Sequence, residues 1–467
     1  MTAVSRTSSA ELLAQYDRPG PRYTSYPTAV EFHPGFTEAD YRERLATADR
    51  RAAEPLSLYV HLPFCQERCL FCACSVIVTP HRQVAAGYLD PLLRELELLA
   101  NALPHRRAVS QLHWGGGTPT YYSPEQLERL FEVIRRHFHF TADPEIGIEA
   151  DPRVTTGGHL DTLRRLGFNR LSFGVQDFSP EVQSAVNRIQ SVFLTRRLVE
   201  AARAAGFASV NLDLIFGLPY QTMAGFARTI EEVLAIRPDR VAVYSFAHVP
   251  WIKGHMKRIP EAALPAASLK LELLALAIER FTGAGYRQIG MDHFALPKDD
   301  LARAAENGAL FRNFMGYSVR AAPDLLGLGV SAIGDVAGAF AQNTKKLTDY
   351  AGAVEAGRFP VERGYVLSPD DHRRRAVITQ LMCAFRVSYT AFAERFGSSF
   401  PDYFEPELQA LQSPDGPERH GLLEFDAGGF WLTPRGRPFV RTIAMTFDAH
   451  LRRRAGAASK PVFSRTV

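Results

Sequence analysis

Residues 59–74 read YVHLPFCQERCLFCAC, a β-branched and aromatic run that breaks at Pro63 and passes at once into Cys65, Cys69, Cys72 and Cys74. The run predicts a strand over Leu58–Leu62, and the proline and cysteines predict a loop at its C-terminal end. The spacing is Cys-x3-Cys-x2-Cys-x-Cys, and the fifth cysteine, Cys383, lies far away. A disulfide framework spaces its cysteines along a short secreted chain. Tight clustering within 467 residues points instead to a metal or redox centre in a reducing compartment. Three thiolates within eight residues can surround one cubane iron–sulfur cluster. Structural zinc competes for such thiols, but it wants four ligands, usually in two separated pairs, and the chain has no second pair. Cys383 reads as a small buried hydrophobe. Four cysteines packed this closely leave one to spare, and spacing leaves open which one.

Outward from that strand, short β-branched or aromatic runs alternate with helix-length segments. The strands expected are Leu58–Leu62, Val109–Trp114, Glu145–Glu149, Arg170–Val175, Ser209–Phe216 and Val241–Phe246, the mark of successive βα units in a parallel sheet. A barrel and an open sheet satisfy the pattern equally. Ser123-Pro124-Glu125 and Ser179-Pro180-Glu181 each give an N-cap, a first-turn proline and an acidic first turn. The first 55 residues stand outside the alternation, and ArgTyrThrSerTyrPro at 22–27 reads as an extended arm because Pro27 disfavours helix before it. From about Leu367, three helical stretches lead to LLEFDAGGFWLTPRG at 422–436, two alternating runs about Gly428-Gly429, as in a winged helical domain.

The composition, 46% hydrophobic with 31 Phe and 16 Tyr, provides for a large core. Net charge is +4, and only 7 of the 54 basic residues are Lys, so positive charge is Arg spread along the chain. That is no nucleic-acid footprint, and the wing carries no dense basic face. Drift in composition explains the arginine better than a liking for carboxylate partners, although the planar fork suits the latter. The opening MTAVSRTSSAELLAQYDRPG lacks an apolar signal core. Ala262–Phe281 is interrupted by Lys270, Glu272, Glu279 and Arg280, so it reads as a core helix and not a membrane span. A cytoplasmic protein without membrane insertion is expected.

Cys-x3-Cys-aromatic-x-Cys after a first strand, with Phe71 as the aromatic, resembles the radical S-adenosylmethionine superfamily. There three cysteines hold a [4Fe–4S] cluster and the fourth iron is left open for the amino and carboxylate groups of S-adenosylmethionine. Four further segments strengthen the likeness. HWGGGTPT at 113–120 offers backbone for close approach at Gly115, Gly116 and Gly117. Glu149 ends a strand in GIEADP, Gln176 ends another with Arg188 beyond it, and Asp213 stands in an apolar strand where a carboxylate without partners is costly. All lie at C-terminal strand ends, where barrel active sites are built.

More narrowly, GPRYTSYPTA, YVHLPFC with the trailing CxC, GVQDFSPEVQ, NLDLIFGLP, IGMDHFALP, RNFMGY and LLGLGVSAIG are similar to segments of the oxygen-independent coproporphyrinogen III oxidases. That resemblance implies an α/β fold: an incomplete (β/α)6 TIM-type barrel over 56–365, an arm over 1–55 covering the active site, and a mainly helical, winged-helix-like domain over 366–467. It implies Cys65, Cys69 and Cys72 as cluster ligands, with Cys74 essential but not a ligand. Tyr59, Gly116, Glu149 and Ile333 would surround the S-adenosylmethionine on the cluster. Phe71, Gly117, Thr118, Gln176, Arg188, Asp213 and Ala247 would line a second S-adenosylmethionine, and His61 would be a further site residue. The reaction implied is oxidative decarboxylation of two propionates of coproporphyrinogen III to vinyl groups, giving protoporphyrinogen IX in heme biosynthesis. In it a 5′-deoxyadenosyl radical takes hydrogen from the carbon β to the carboxylate. Arg22, Tyr23 and Arg312 are candidate propionate partners by chemistry. A flavodoxin-type electron donor and a monomer are expected. The rivals are a related heme-binding chaperone, which lacks the trailing CxC and the arm, a radical heme-opening enzyme, and an iron–sulfur DNA sensor.

Overall fold

A computed structural model describes residues 9–320, 322–455 and 462–466. The first eight residues, on which part of the signal-peptide expectation rests, lie outside the described residues. Twelve strands make one sheet, numbered here in chain order: β1 Leu56–Leu62, β2 Ala108–Gly116, β3 His139–Ala150, β4 Arg170–Gln176, β5 Ser209–Phe216, β6 Arg240–Ser245, β7 Arg287–Ile289, β8 His293–Ala295, β9 Leu325–Leu328, β10 Ile333–Val336, β11 Ala339–Asn343 and β12 Val361–Val366. Their order is β12-β11-β10-β9-β1-β2-β3-β4-β5-β6-β8-β7. The six strands β1 to β6 are parallel and consecutive, each followed by helix, which is the incomplete (β/α)6 barrel. Expected and observed strands agree to within a residue or two except β3, which starts earlier. Beyond β6 the sheet continues antiparallel through β8, and beyond β1 it continues through the parallel β9 and then antiparallel strands.

Register decides what the barrel can hold, because side chains alternate faces with period two. Val60 pairs with Trp114, Trp114 with Ile148 and Ile148 with Leu171, a row buried under the helices. The opposite parity is polar: Tyr59 pairs with His113, Glu149 with Ser172, Gly174 with Asp213 and Ile215 with Tyr244. One face of the sheet is therefore core and the other is equipped for chemistry.

Helix Pro124–His137 carries the expected cap, with the Ser123 side chain accepting from the Gln126 amide and a reciprocal capping box. Ser179 caps nothing with its hydroxyl; its own amide is held by Asp177 Oδ1 at 2.6 Å instead. Helix Ala267–Gly283 buries Leu273, Leu274, Ala277 and Phe281, as a core helix should. Among the described residues no helix is long and apolar enough to cross a membrane. The N-terminal segment is less extended than its sequence suggests, with helices Ser9–Tyr16 and Glu38–Asp49. Its Tyr16, Tyr23 and Tyr26 join an apolar core with Val377, Leu381, Phe430 and Phe447, so the start of the chain packs into its end. There, helices Pro369–Ala384, Tyr389–Phe396 and Glu405–Gln412 precede a hairpin of Leu423–Asp426 and Gly429–Leu432, joined by a third strand, Arg386–Ser388.

The join between β9 and the preceding elements rests on a buried ion pair. Asp324 accepts from Arg106 Nη1, from Arg51 Nη2 at 2.5 Å and from the Ala337 amide at 2.6 Å. Arg106 gives its other N–H groups to the carbonyls of Glu54, Pro55 and Ala48 at 2.7 to 3.1 Å. Asp324→Ala strands that guanidinium in the core and is expected to cost about 3–5 kcal/mol. Chemical denaturation checks this; a loss below about 1 kcal/mol, the scale of an exposed pair, would refute it.

Candidate active site

At the C-terminal end of the parallel strands lies a cavity of about 930 Å³. Cys65, Cys69, Cys72 and Cys74 all line it, on the loop that leaves β1. That loop is held on both sides. The Leu70 amide donates to the Val186 carbonyl at 2.9 Å, Asn187 Nδ2 to the Arg68 carbonyl at 3.0 Å, and the Thr79 amide to the Cys65 carbonyl at 3.0 Å. Thr118 Oγ1 lies 3.3 Å from Cys65 Sγ.

Cys69 is the most enclosed of the four and meets two cations. Arg153 Nη2 stands 3.7 Å and Arg188 Nη1 3.5 Å from its Sγ. Both guanidiniums converge on Asp151 Oδ2, at 2.7 and 3.0 Å. Burial alone would raise the Asp151 carboxyl, but Arg188 and Arg153 more than offset it and hold it below the usual carboxylate range. Donors of this kind fit a negatively charged iron–sulfur centre. Among the described residues no three His, Cys, Asp or Glu side chains are gathered as around a single ion.

The glycine triplet serves the protein before any ligand. A Cβ on Gly117 would stand 2.5 Å from the Pro63 backbone, and one on Gly116 would stand 2.6 Å from the His61 ring, with φ at 115° besides. Only glycine lets the end of β2 lie against β1 there. Gly116 then gives its amide to Glu149 Oε2 at 3.2 Å, and His113 Nε2 approaches Oε1 at 3.4 Å. Burial pushes the Glu149 carboxyl up, yet His113 and the Gly116 amide prevail and hold it below its ordinary value. Asp213 is not unpartnered: Ser172 Oγ donates to it at 3.0 Å and Asn211 Nδ2 at 2.8 Å. Burial, seconded by the charge of Glu149, still raises it to about 6. Gln176, with φ at 71°, sits at a register shift between β4 and β5 that turns the strand end toward the cavity.

Of the residues singled out in the sequence, Phe71, Gly116, Gly117, Thr118, Glu149, Gln176, Arg188 and Asp213 share this wall with the cysteines. Tyr59, His61, Ala247 and Ile333 do not. Tyr59 Oη is 3.0 Å from His61 Nδ1, and its ring stacks on His113. His61 Nε2 meets the Ser75 carbonyl at 2.9 Å, which ties β1 to the cysteine loop. Ala247 follows the end of β6, and Ile333 opens β10, partly buried against Phe32 and Phe340. Tyr23 lies outside the cavity: its hydroxyl donates to Asp448 Oδ2 at 3.0 Å and its ring is in the C-terminal core, so it anchors the arm. Arg22 reaches back to the Ser245 carbonyl at the end of β6. Arg312 is 8% exposed, lies 4.5 Å above the Tyr317 ring, and has Nε and Nη1 buried without partners. A smaller space of about 120 Å³ continues the cavity past Glu149, Asp213 and Tyr244 to His293 and Tyr317.

Sequence reasoning missed Asp151, Arg153, His113 and Tyr244. Asp151 and Arg153 stood two and four places after Glu149, and His113 and Tyr244 have the inward parity of their strands.

Comparison with known proteins bears on this arrangement. Residues 59–233 match the Radical SAM superfamily and residues 367–439 the HemN C-terminal domain. The oxygen-independent coproporphyrinogen III oxidase of Pseudomonas aeruginosa is 46% identical over 447 residues, covering 95% of this chain and 96% of that one. The protein of that name from Helicobacter pylori is 45% identical over 449 residues, covering 96% and 98%. A solved structure described as coproporphyrinogen III oxidase (HemN) from Escherichia coli, a radical SAM enzyme, superposes with a TM-score of 0.87 at 45% identity, covering 92% of this chain and 97% of that one.

Proposed function

Since the chain belongs to the oxygen-independent coproporphyrinogen III oxidases of the radical S-adenosylmethionine superfamily, we propose that it turns two propionates of coproporphyrinogen III into vinyl groups, yielding protoporphyrinogen IX in heme biosynthesis, at the cavity behind the cysteine loop. The superfamily implies a [4Fe–4S] cluster and S-adenosylmethionine. Bound together, these supply a one-electron reductive cleavage and hence a carbon-centred oxidant able to take hydrogen from a propionate.

The observation that carries the reading is the meeting of three cysteines, two arginines on one of them, and the Glu149–Gly116 contact in a single cavity. Cys65, Cys69 and Cys72 hold the cluster, and Arg153 and Arg188 offset the charge that gathers at Cys69. Glu149, kept ionised by His113 and Gly116, receives the ammonium of the S-adenosylmethionine on the cluster, with Tyr59, His61 and Ile333 setting the backbone behind it. A second S-adenosylmethionine lies against Phe71, Gly117, Thr118, Gln176, Arg188, Asp213 and Ala247, where Asp213 accepts a ribose or ammonium proton. Arg22 and Arg312 receive propionates, and Tyr23 holds the arm so that Arg22 stays in place. The arm, over 1–55, and the winged domain, over 366–467, cover the open side of the barrel and exclude water and oxygen from a reactive carbon centre. The protein works as a cytoplasmic monomer reduced by a flavodoxin-type donor.

The test is an anaerobic assay with coproporphyrinogen III, S-adenosylmethionine and a reductant, read as protoporphyrin after oxidation. Turnover is expected from the reconstituted protein. Cys74→Ala should keep the brown colour and iron content and lose porphyrinogen oxidation; loss of iron from that variant would show the ligand set to be wrong. Absence of turnover together with tight heme binding would favour the chaperone.

A further inference from the structure

Beside the cysteine loop a second depression, of about 470 Å³, opens on the surface. It shares Cys74 with the large cavity, and its polar lining includes Arg68, Lys253, His255 and Lys345; among the described residues no acidic side chain lines it. Lysine is scarce in this chain, 7 of 54 basic residues, yet two of the seven line this one depression. The charged groups nearby are Arg363 and Glu362, which act on Lys345, while Glu67 of the loop itself faces Arg153 at 3.8 Å. The rim is apolar where a soluble protein gains nothing by it: Trp251 is 48% and Ile252 55% exposed.

This surface touches the cysteine loop directly. Lys253 Nζ donates to the Cys74 carbonyl at 3.0 Å, and His255 Nε2 lies 2.9 Å from the Cys72 carbonyl. Exposed aromatic and aliphatic side chains beside a cluster of one sign of charge make a docking patch that selects its partner by charge. Reductive cleavage needs an electron from outside, and the side chains of this depression bond the backbone of the loop that would hold its acceptor.

We propose that the face formed by Trp251, Ile252, Lys253, His255 and Lys345 docks a small acidic protein that donates one electron. The inference rests on the cluster reading given above. In the transfer the donor is oxidised by one electron and the cluster reduced by one, with no bond made or broken. Acidic groups on the donor answer Lys253, Lys345 and Arg68, and an apolar rim around its redox group covers Trp251.

The experiment uses cluster-loaded full-length protein and an acidic flavodoxin as probe, and reads the Kd of the oxidised flavodoxin by titration calorimetry. Lys345→Glu and Trp251→Ala, which leave the bonds of Lys253 and His255 to the cysteine loop in place, are each expected to weaken binding on the order of tenfold at low salt. Glu362→Lys should tighten it, and the two charge effects should shrink at high salt while that of Trp251→Ala persists. Turnover driven by reduced methyl viologen should be unchanged in all three, which separates donor docking from cluster binding. An unaltered flavodoxin Kd in Lys345→Glu and Glu362→Lys overturns the docking face. Failure of the parent protein to turn over with methyl viologen overturns the cluster reading instead.

Discussion

Cys69→Ala protein, reconstituted with iron and sulfide under anaerobic conditions, is expected to come out colourless, with iron falling from about four per chain, the content of one cubane, to a background level. S-adenosylmethionine cleavage should then be undetectable even with excess chemical reductant. Position 69 is the most sensitive of the three because its sulfur is enclosed and takes contacts from Arg153 and Arg188, whose other partner is Asp151. With the sulfur gone, both cations still pair with Asp151, so neither guanidinium is left without a carboxylate. Folding should therefore survive: removing one small side chain from a loop costs on the order of 1 kcal/mol, and thermal melts of the unreconstituted variant and parent should nearly coincide. Iron content and colour, measured beside the melt, check it. A variant that keeps parental iron would displace Cys69 from the ligand set, and Cys74 would have to take its place.

How far the residues announced this arrangement depends on how local the cause is. The strands β1 to β6 were legible because each is a short run rich in β-branched and aromatic residues with one face in the core, bounded by turn signals and followed by a helix-length segment; β5 runs over Ser209–Phe216 as read. The strands β7 to β12 were not, because three to six residues of ordinary composition owe their extended form to a partner strand and not to their own pattern. Helix Glu38–Asp49 escaped although Tyr41, Leu45 and Ala48 stand at helical spacing: the stripe is narrow and set among charged residues, and no apolar run draws the eye to it. The cysteine loop is local and stood out at once. The environment of Cys69 is not, since Asp151 follows the end of β3 and Arg188, 37 residues later, follows the helix Pro180–Ala185 beyond β4, and the two meet only because β3 and β4 are neighbours. Asp213 shows both sides: a carboxylate in an apolar strand was an evident site residue, but that Ser172 and Asn211 satisfy it follows from register alone. Tyr23 shows where chemistry by residue type misleads, for a tyrosine suited to a propionate is occupied by Asp448, 425 residues away.

Arg312→Leu is expected to leave iron content and S-adenosylmethionine binding intact and to lower porphyrinogen oxidation by on the order of a hundredfold, the equivalent of about 3 kcal/mol for a lost buried charge pair. The reason is an imbalance in the protein as it stands. Arg312 is buried, yet Nε and Nη1 have no hydrogen-bond partner, and Asp292, the nearest carboxylate acting on it, is already engaged by His293 Nδ1 at 2.7 Å. A buried guanidinium in that condition is costly and persists where an anion arrives to complete it. Each propionate is such an anion, and Arg22, held at the Ser245 carbonyl and acting on the same Asp292, stands ready as a second. The same imbalance predicts an unusual stability signature. Exchanging an incompletely paired buried cation for an apolar side chain is neutral or stabilising, so Arg312→Leu should melt no lower than the parent while its turnover collapses. A structural strut would show the reverse, with stability and activity lost together. Arg312→Lys separates charge from geometry: the ammonium restores attraction but not the planar fork, so recovery should be partial and appear in KM before kcat. Full activity in Arg312→Leu, or a lowered melting point that accounts for the loss, would remove Arg312 from substrate binding.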